Sequence, residues 1–355
     1  MPITASAPGK IVLLGEYAVL TGAPALVMAV DRRADVELTA NHRQYSRLTA
    51  PGYSNHELRF TFAGEAPQWS GLEACEHKYD LAVRVIDDIL AAAAGRAAPH
   101  FDLVLRTDAF FAVLGGSGGR TKLGLGSSAA LTVALASAVA GHLGWDYAAN
   151  MEAWMSRLWS IHRGFQGGYG SGLDIAAAIH GGVIEYRLSS VSGAPRVSRL
   201  EPLTLPGVFV WTGTGASTPE LVGRFEAWRA SAPRQFARVS NALRAISKAG
   251  IGAFRNREIA GFIAAMGEYA NTLEILGERA GIEIFSPAHR RLLDLARDCG
   301  AVYKPCGAGG GDIGIVLHPD ASALQAFIER AEPLGYARLK MGIDEQGLET
   351  IRRQT

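Results

Sequence analysis

From Lys122 to Ala130 the chain reads Lys-Leu-Gly-Leu-Gly-Ser-Ser-Ala-Ala and then continues as an apolar, alanine-rich run to His142. Gly124 and Gly126 let the backbone approach a ligand closely. A helix that starts at the serines points its free N–H groups and the positive end of its dipole at the same spot. An anion such as a phosphate fits there, with Lys122 as a nearby cation and the Ser127 or Ser128 hydroxyl offered to phosphate or magnesium. Taken singly, the segment also reads as a tight turn with a serine N-cap. It is not a Walker A loop, because no Gly-Lys-Ser/Thr follows at the required spacing.

Four other segments hold groups able to do chemistry. Gly307-Ala-Gly-Gly-Gly-Asp312 leads into the apolar Ile313 to Leu317 and makes a low-profile loop that can lie against a substrate, or simply a turn into a strand. Gly167 to Asp174 places an acid after a glycine-rich turn and before the apolar Ile175 to Ile179. Such an acid can take a proton, or merely favour a helix N-terminus. Pro8-Gly-Lys10 puts a lysine at the entrance of the first apolar strand, where a solvated strand end is the simpler reading. Trp211 to Ser217 ends a strand, and Ser217 with Glu220 has capping-box spacing. Gly115-Gly-Ser-Gly-Gly119 matches the nucleophile-elbow pattern, but Arg-Thr-Lys follows it instead of a helix, so the match is read as chance.

The elements that must position these groups are mixed. Strands are predicted at Ile11 to Leu14, Ala25 to Leu38, Phe101 to Leu105, Gly182 to Arg187, Val208 to Trp211, Asp312 to Leu317 and Ala337 to Gly342. Helices are predicted at Leu72 to Ala94, Ser128 to His142 and Asp146 to His162, and the second half is mostly helical, with Ser286-Pro287 as an N-cap followed by proline. Ser189 to Pro206 is the best candidate boundary between domains. The order is α+β, without the regular alternation of a doubly wound sheet.

Composition excludes several function classes. Among 355 residues, 48% are hydrophobic and 19% charged, as in a folded globular protein. Thirty-five Lys plus Arg against 34 Asp plus Glu leave a net charge of +1, so no global field recruits nucleic acid or an acidic membrane. Three dispersed cysteines without a Cys-x-x-Cys pair argue against a disulfide scaffold or a zinc site and favour a reducing, cytoplasmic setting. No signal peptide is read at the start, and Leu125 to Leu143 is too interrupted by polar residues to be a membrane span.

The segments acquire meaning together. Ala7-Pro-Gly-Lys-Ile-Val-Leu-Leu-Gly-Glu-Tyr-Ala-Val19, followed by Ala29-Val-Asp-Arg32, resembles the first motif of the GHMP kinases. Leu123 to Ala130 resembles the second and Pro305 to Ile313 the third, in order, over roughly residues 5 to 318. Gly-Glu-Tyr-Ala-Val, the Gly-Ser-Gly-x-Asp at 170 to 174 and the Trp-Thr-Gly-x-x-Ala-Ser-Thr at 211 to 218 are most similar to the phosphomevalonate kinase branch. The resemblance implies a GHMP kinase fold of two α+β domains, an N-terminal nucleotide-binding domain over residues 1–195 and a C-terminal ferredoxin-like domain over 196–355, with the active site between them. It implies ATP and Mg2+ as cofactors and a small-molecule phosphoryl acceptor as the partner, with a monomer or homodimer both compatible. Lys122, Gly124, Leu125, Gly126, Ser127, Ser128 and Ala129 would hold the ATP phosphates, with Ser127 or Ser128 reaching the metal. Asp174 would be the base, with Lys10 beside it. Ser171, Gly172, Ser217, Gly307, Ala308, Gly309 and Gly310 would meet the acceptor, and His162 and Arg163 would supply further cations if it already bears a phosphate. Trp159 to Gln166 does not follow the branch pattern, so mevalonate and sugars stay open as acceptors. Diphosphomevalonate decarboxylation and a nucleotide-binding regulator are the other readings.

Overall fold

The structure is a computed structural model that describes residues 2–63, 66–75, 77–93, 99–113, 120–188, 195–216 and 218–353. Ser217 and the Gly115 to Gly119 stretch lie outside the described residues. In chain order the first part comprises β1 (Ile3–Leu14), β2 (Ala25–Ala40), β3 (Ser46–Thr49), β4 (Glu57–Ala63), β5 (Ala66–Ser70), α1 (Asp80–Ala92), β6 (Phe101–Arg106), β7 (Phe111–Val113) and β8 (Arg120–Lys122). Then come α2 (Ser127–His142), α3 (Met151–Phe165), α4 (Leu173–His180), β9 (Val183–Leu188) and β10 (Pro195–Leu200). The second part has β11 (Gly207–Trp211), α5 (Thr218–Ser231), α6 (Pro233–Arg255), α7 (Ile259–Ala280), α8 (Pro287–Asp298), β12 (Val302–Cys306), β13 (Ile313–Leu317), α9 (Ala321–Ala331), β14 (Ala337–Leu339) and β15 (Glu349–Arg352).

β2 is the spine of a nine-stranded sheet. It pairs with β1 along one side, and on the other with β9 at its start and β6 at its end; β3, β4 and β5 extend the sheet beyond β6. Its opening run Ala-Leu-Val-Met-Ala-Val is buried throughout because alternate side chains enter two different cores. Ala25 and Val27 pack toward α1 to α4, while Leu26, Met28 and Val30 pack toward the second part of the chain. α2 is apolar on all sides and is correspondingly buried on nearly all sides, against β1, β2, α1, α3 and α4.

The second part forms a four-stranded antiparallel sheet in the order β12-β13-β11-β14, the ferredoxin-like order, covered by helices. α8 starts as its sequence predicts, with Ser286 Oγ accepting from His289 N and Pro287 at the first helical position.

Several boundaries differ from the sequence reading for local reasons. The helix predicted from Leu72 begins only at Asp80, after a 3-10 turn at Glu73–Cys75 and a positive φ at His77. The one predicted from Asp146 begins at Met151, because the Asn150 side chain caps Ala153 N at 3.0 Å. β10 pairs with β9, so a division after residue 195 would sever a strand from its sheet; the first sheet extends to Leu200 and recovers β15 from residues 349–352. No helix among the described residues is long and apolar enough to cross a membrane.

Candidate active site

A register shift opposite Pro8 and Gly9 of β1, where Asp31 and Arg32 bulge out of β2, begins the site. A Cβ on Gly9 would lie 2.6 Å from both Leu125 O and a ring carbon of Phe110, so only glycine lets the strand touch the loop before α2. Lys10 N then donates to Leu125 O at 2.8 Å, fixing strand to loop. Gly124 and Gly126 have φ of 71° and 78°, and Gly126 is the left-handed residue that caps α2. A Cβ there would meet Lys10 Cγ at 3.3 Å, Lys10 Cε at 3.4 Å and Asp174 Cβ at 3.9 Å. Lysine, acid and helix N-terminus therefore converge on one glycine.

Asp174 sits in the first turn of α4, behind Gly172 (φ 80°), whose open face is covered by Trp159. Its Oδ1 accepts from Ile175 N at 3.0 Å. His162 stands behind it, 1% exposed, with Nδ1 4.0 Å from Asp174 Oδ2 and Nε2 3.0 Å from Ser128 Oγ. His162, offered as a further cation for a phosphate-bearing acceptor, is thus buried between α2 and α4. Arg163 is also directed elsewhere: its Nε donates to Gly168 O at 2.6 Å, and its guanidinium lies over the Trp159 ring. Burial decides the first; Arg163 is exposed and is held by the turn it bonds.

The third glycine loop closes the opposite side. Gly307, Gly309 and Gly310 have φ of 88°, 81° and 78°. Tyr17 OH donates to Ala308 O at 2.6 Å, Gly310 N to Ile284 O at 2.9 Å and Asp312 N to Thr214 O at 2.7 Å. Asp312, at φ 61°, presses its carboxyl against Gly124. Burial pushes that carboxyl above the usual range, while Lys10 and Lys122 pull the other way.

Between these parts lies a cleft with a cavity volume of about 110 Å³, open to solvent. Lys10, Ser171, Asp174, Gly307 and Ala308 line it. Glu16, Tyr17 and Gln166 also line it and were not singled out. Leu125 and Ala129 are buried and offer only backbone, and Lys122 is exposed at the end of β8.

His289 supports the loop from below, with Tyr303 OH at 2.6 Å from Nδ1 and Gly311 O at 2.9 Å from Nε2. Burial pushes its pKa down to about 4, so the ring is neutral near pH 7, with Nε2–H donating and Nδ1 accepting. Its folded-state value lies below the ordinary 6.5, so it contributes stability that is full above pH 6.5 and is lost as pH falls toward 4. Denaturant midpoints should fall over that window, and His289→Gln should flatten the slope. An unchanged slope in a folded variant excludes His289 as its source.

Residues 80–182, which carry the glycine loop before α2 and Asp174, match the family described as GHMP kinases N terminal domain. The chain is 29% identical over 348 residues to a phosphomevalonate kinase of Streptomyces sp. strain CL190, covering 89% of each. It is 28% identical over 327 residues to a mevalonate kinase of Thermococcus sibiricus, covering 90% of each. Its fold matches that of Streptococcus pneumoniae phosphomevalonate kinase, solved in complex with phosphomevalonate and AMPPNP, with a TM-score of 0.74 at 20% identity, covering 96% of this chain and 99% of that one. Residues 80–182 thus carry a GHMP kinase N-terminal domain, and the chain shares the α+β fold of that solved kinase.

Proposed function

We propose that the chain is an ATP-dependent kinase of the mevalonate-pathway type, with phosphomevalonate as its acceptor. The observation that carries the kinase reading is the convergence of Lys10 and Asp174 on Gly126, at the N-terminus of α2. Phosphoryl transfer needs the reactants held in line and the charge on the moving group neutralised. In this reading the amides from Gly124 to Ser128 hold the phosphates, Lys10 faces the transferring oxygens, and Asp174 takes a proton from the acceptor. Gly307 to Gly310 close over the acceptor from the four-stranded unit, which we take as the second domain. Ser217 would join them at the start of α5.

Among the described residues no cluster of three or more His, Cys, Asp or Glu side chains suits a metal ion. That fits magnesium carried by ATP and held by phosphate oxygens with one or two protein oxygens. Ser127 is the freer candidate hydroxyl, since Ser128 Oγ already meets His162. Magnesium would neutralise phosphate charge; positioning belongs to the chain's own residues.

Phosphomevalonate is favoured by the Streptomyces relative, which matches across 89% of both chains. One observation favours mevalonate instead: Lys10 is the only Lys or Arg among the described residues lining the cleft, and an acceptor that already bears a phosphate needs a second source of positive potential. An ADP-release screen over phosphomevalonate, mevalonate and galactose separates the two. The expected result is a kcat/KM at least about tenfold higher for phosphomevalonate, a difference of about 1.4 kcal/mol in transition-state binding. A tenfold preference for either other acceptor overturns the assignment and leaves the family intact.

A further inference from the structure

Glu16 stands at the turn after β1, between Gly15 (φ 103°) and Tyr17 (φ 60°). The turn is held from several directions. Tyr269 OH donates to Glu16 O at 2.7 Å, and Glu16 Oε1 forms a buried ion pair with Lys304 while accepting from Gly307 N at 3.4 Å. Lys304 is fully buried and gives a further hydrogen bond to Pro305 O at 2.6 Å, so its charge is turned inward. Glu16 Oε2 remains. It is buried without a hydrogen-bond partner among the described residues, on a side chain 4% exposed that lines the cleft with Lys10 and Asp174. A buried carboxylate oxygen that lacks a donor loses its hydration with nothing in return, and ligand sites are where such groups persist.

We infer that Glu16 Oε2 determines acceptor specificity, accepting a hydrogen bond from a neutral hydroxyl that the acceptor carries in addition to the group that is phosphorylated. The inference rests on the small-molecule kinase reading. An anionic group of the acceptor is repelled by the Glu16 carboxylate, and a cation is already supplied by Lys304, which leaves a hydroxyl as the matching donor. In a branched hydroxy acid this is the tertiary hydroxyl, and the acid's own carboxylate must point away from Glu16. A site built to bond a hydroxyl rejects the analogue without it, because its own polar atom is then left unpaired.

The test compares kcat/KM for phosphomevalonate and mevalonate with kcat/KM for the 3-deoxy counterpart of each. The wild-type enzyme is expected to prefer the hydroxylated member of its working pair by roughly 10- to 100-fold. Glu16→Gln alone leaves Lys304 buried and unpaired, which threatens folding. The informative variant is therefore Glu16→Gln with Lys304→Met, which removes both charges at similar volume. Its hydroxyl-to-deoxy ratio should fall to within about threefold of one, while its affinity for AMPPNP by calorimetry stays at the wild-type value. Equal use of both members by the wild-type enzyme, or an undiminished ratio in the folded double variant, overturns the inference. A merely structural role would slow both members alike and so leave the ratio unchanged. If mevalonate is the acceptor the enzyme uses, the proposed acceptor falls while the mevalonate pair still tests Glu16.

Discussion

Asp174→Asn is expected to lower kcat by about 10² to 10⁴ at pH 6, the usual contribution of a general base, with little change in ATP affinity. Asparagine keeps the shape and can still accept from Ile175 N, so the turn that opens α4 survives. An acid that only favours a helix N-terminus would instead cost about 0.3 to 1 kcal/mol of stability on replacement and leave turnover nearly intact. The pH dependence of the defect also reports on the acceptor. A phosphate acceptor loses its last proton near pH 6, so for phosphomevalonate the defect should narrow steadily above about pH 6. For mevalonate it should persist, because a hydroxyl keeps its proton throughout. Stopped-flow or quench kinetics at both ends of the range measure this. A folded variant that retains more than about a tenth of wild-type kcat at pH 6, with chemistry rate-limiting, excludes Asp174 as the base.

Gly126→Val carries the second large effect. Gly126 has φ 78°, and an L-residue there costs about 1 to 2 kcal/mol, with a β-branched one less tolerant still. Its Cβ would also stand 3.3 Å from Lys10 Cγ, on the face where Lys10 and Asp174 meet. If the strain falls on the loop that receives phosphate, ATP affinity drops at least about tenfold. The fold survives because the buried body of α2 is untouched. Calorimetric titration of AMPPNP into a folded variant checks this, and wild-type affinity would remove the loop from the nucleotide site.

Local features of the site were legible and long-range ones were not. Gly126 and Ser127 announce a helix start through composition alone, and the structure puts the cap at Gly126. Lys10 and Asp174, far apart in sequence, were linked by motif resemblance, and the fold brings both to Gly126. The burial of His162 was not legible, because local sequence does not tell that α3 turns it inward against Ser128. The Glu16–Lys304 pair spans 288 residues and joins two sheets, so no local pattern could announce it, although Glu16 lies inside the first motif. β3, β4 and β5 were missed even though Glu57-Leu58-Arg59-Phe60-Thr61-Phe62 alternates polar and apolar residues as a half-buried strand does.

β15 has a consequence for how the chain is made. β1 is synthesised long before β15, so Ile3, Thr4, Ala5 and Ser6 obtain one of their two strand partners only when residues 349–352 emerge. Until then that stretch of β1 presents an open ladder of N–H and C=O groups, the kind of edge that recruits neighbouring chains. Chaperone cover of β1 while the intervening chain is made should therefore weigh on the yield of folded product, with the late strand acting as the seal that ends the hazard.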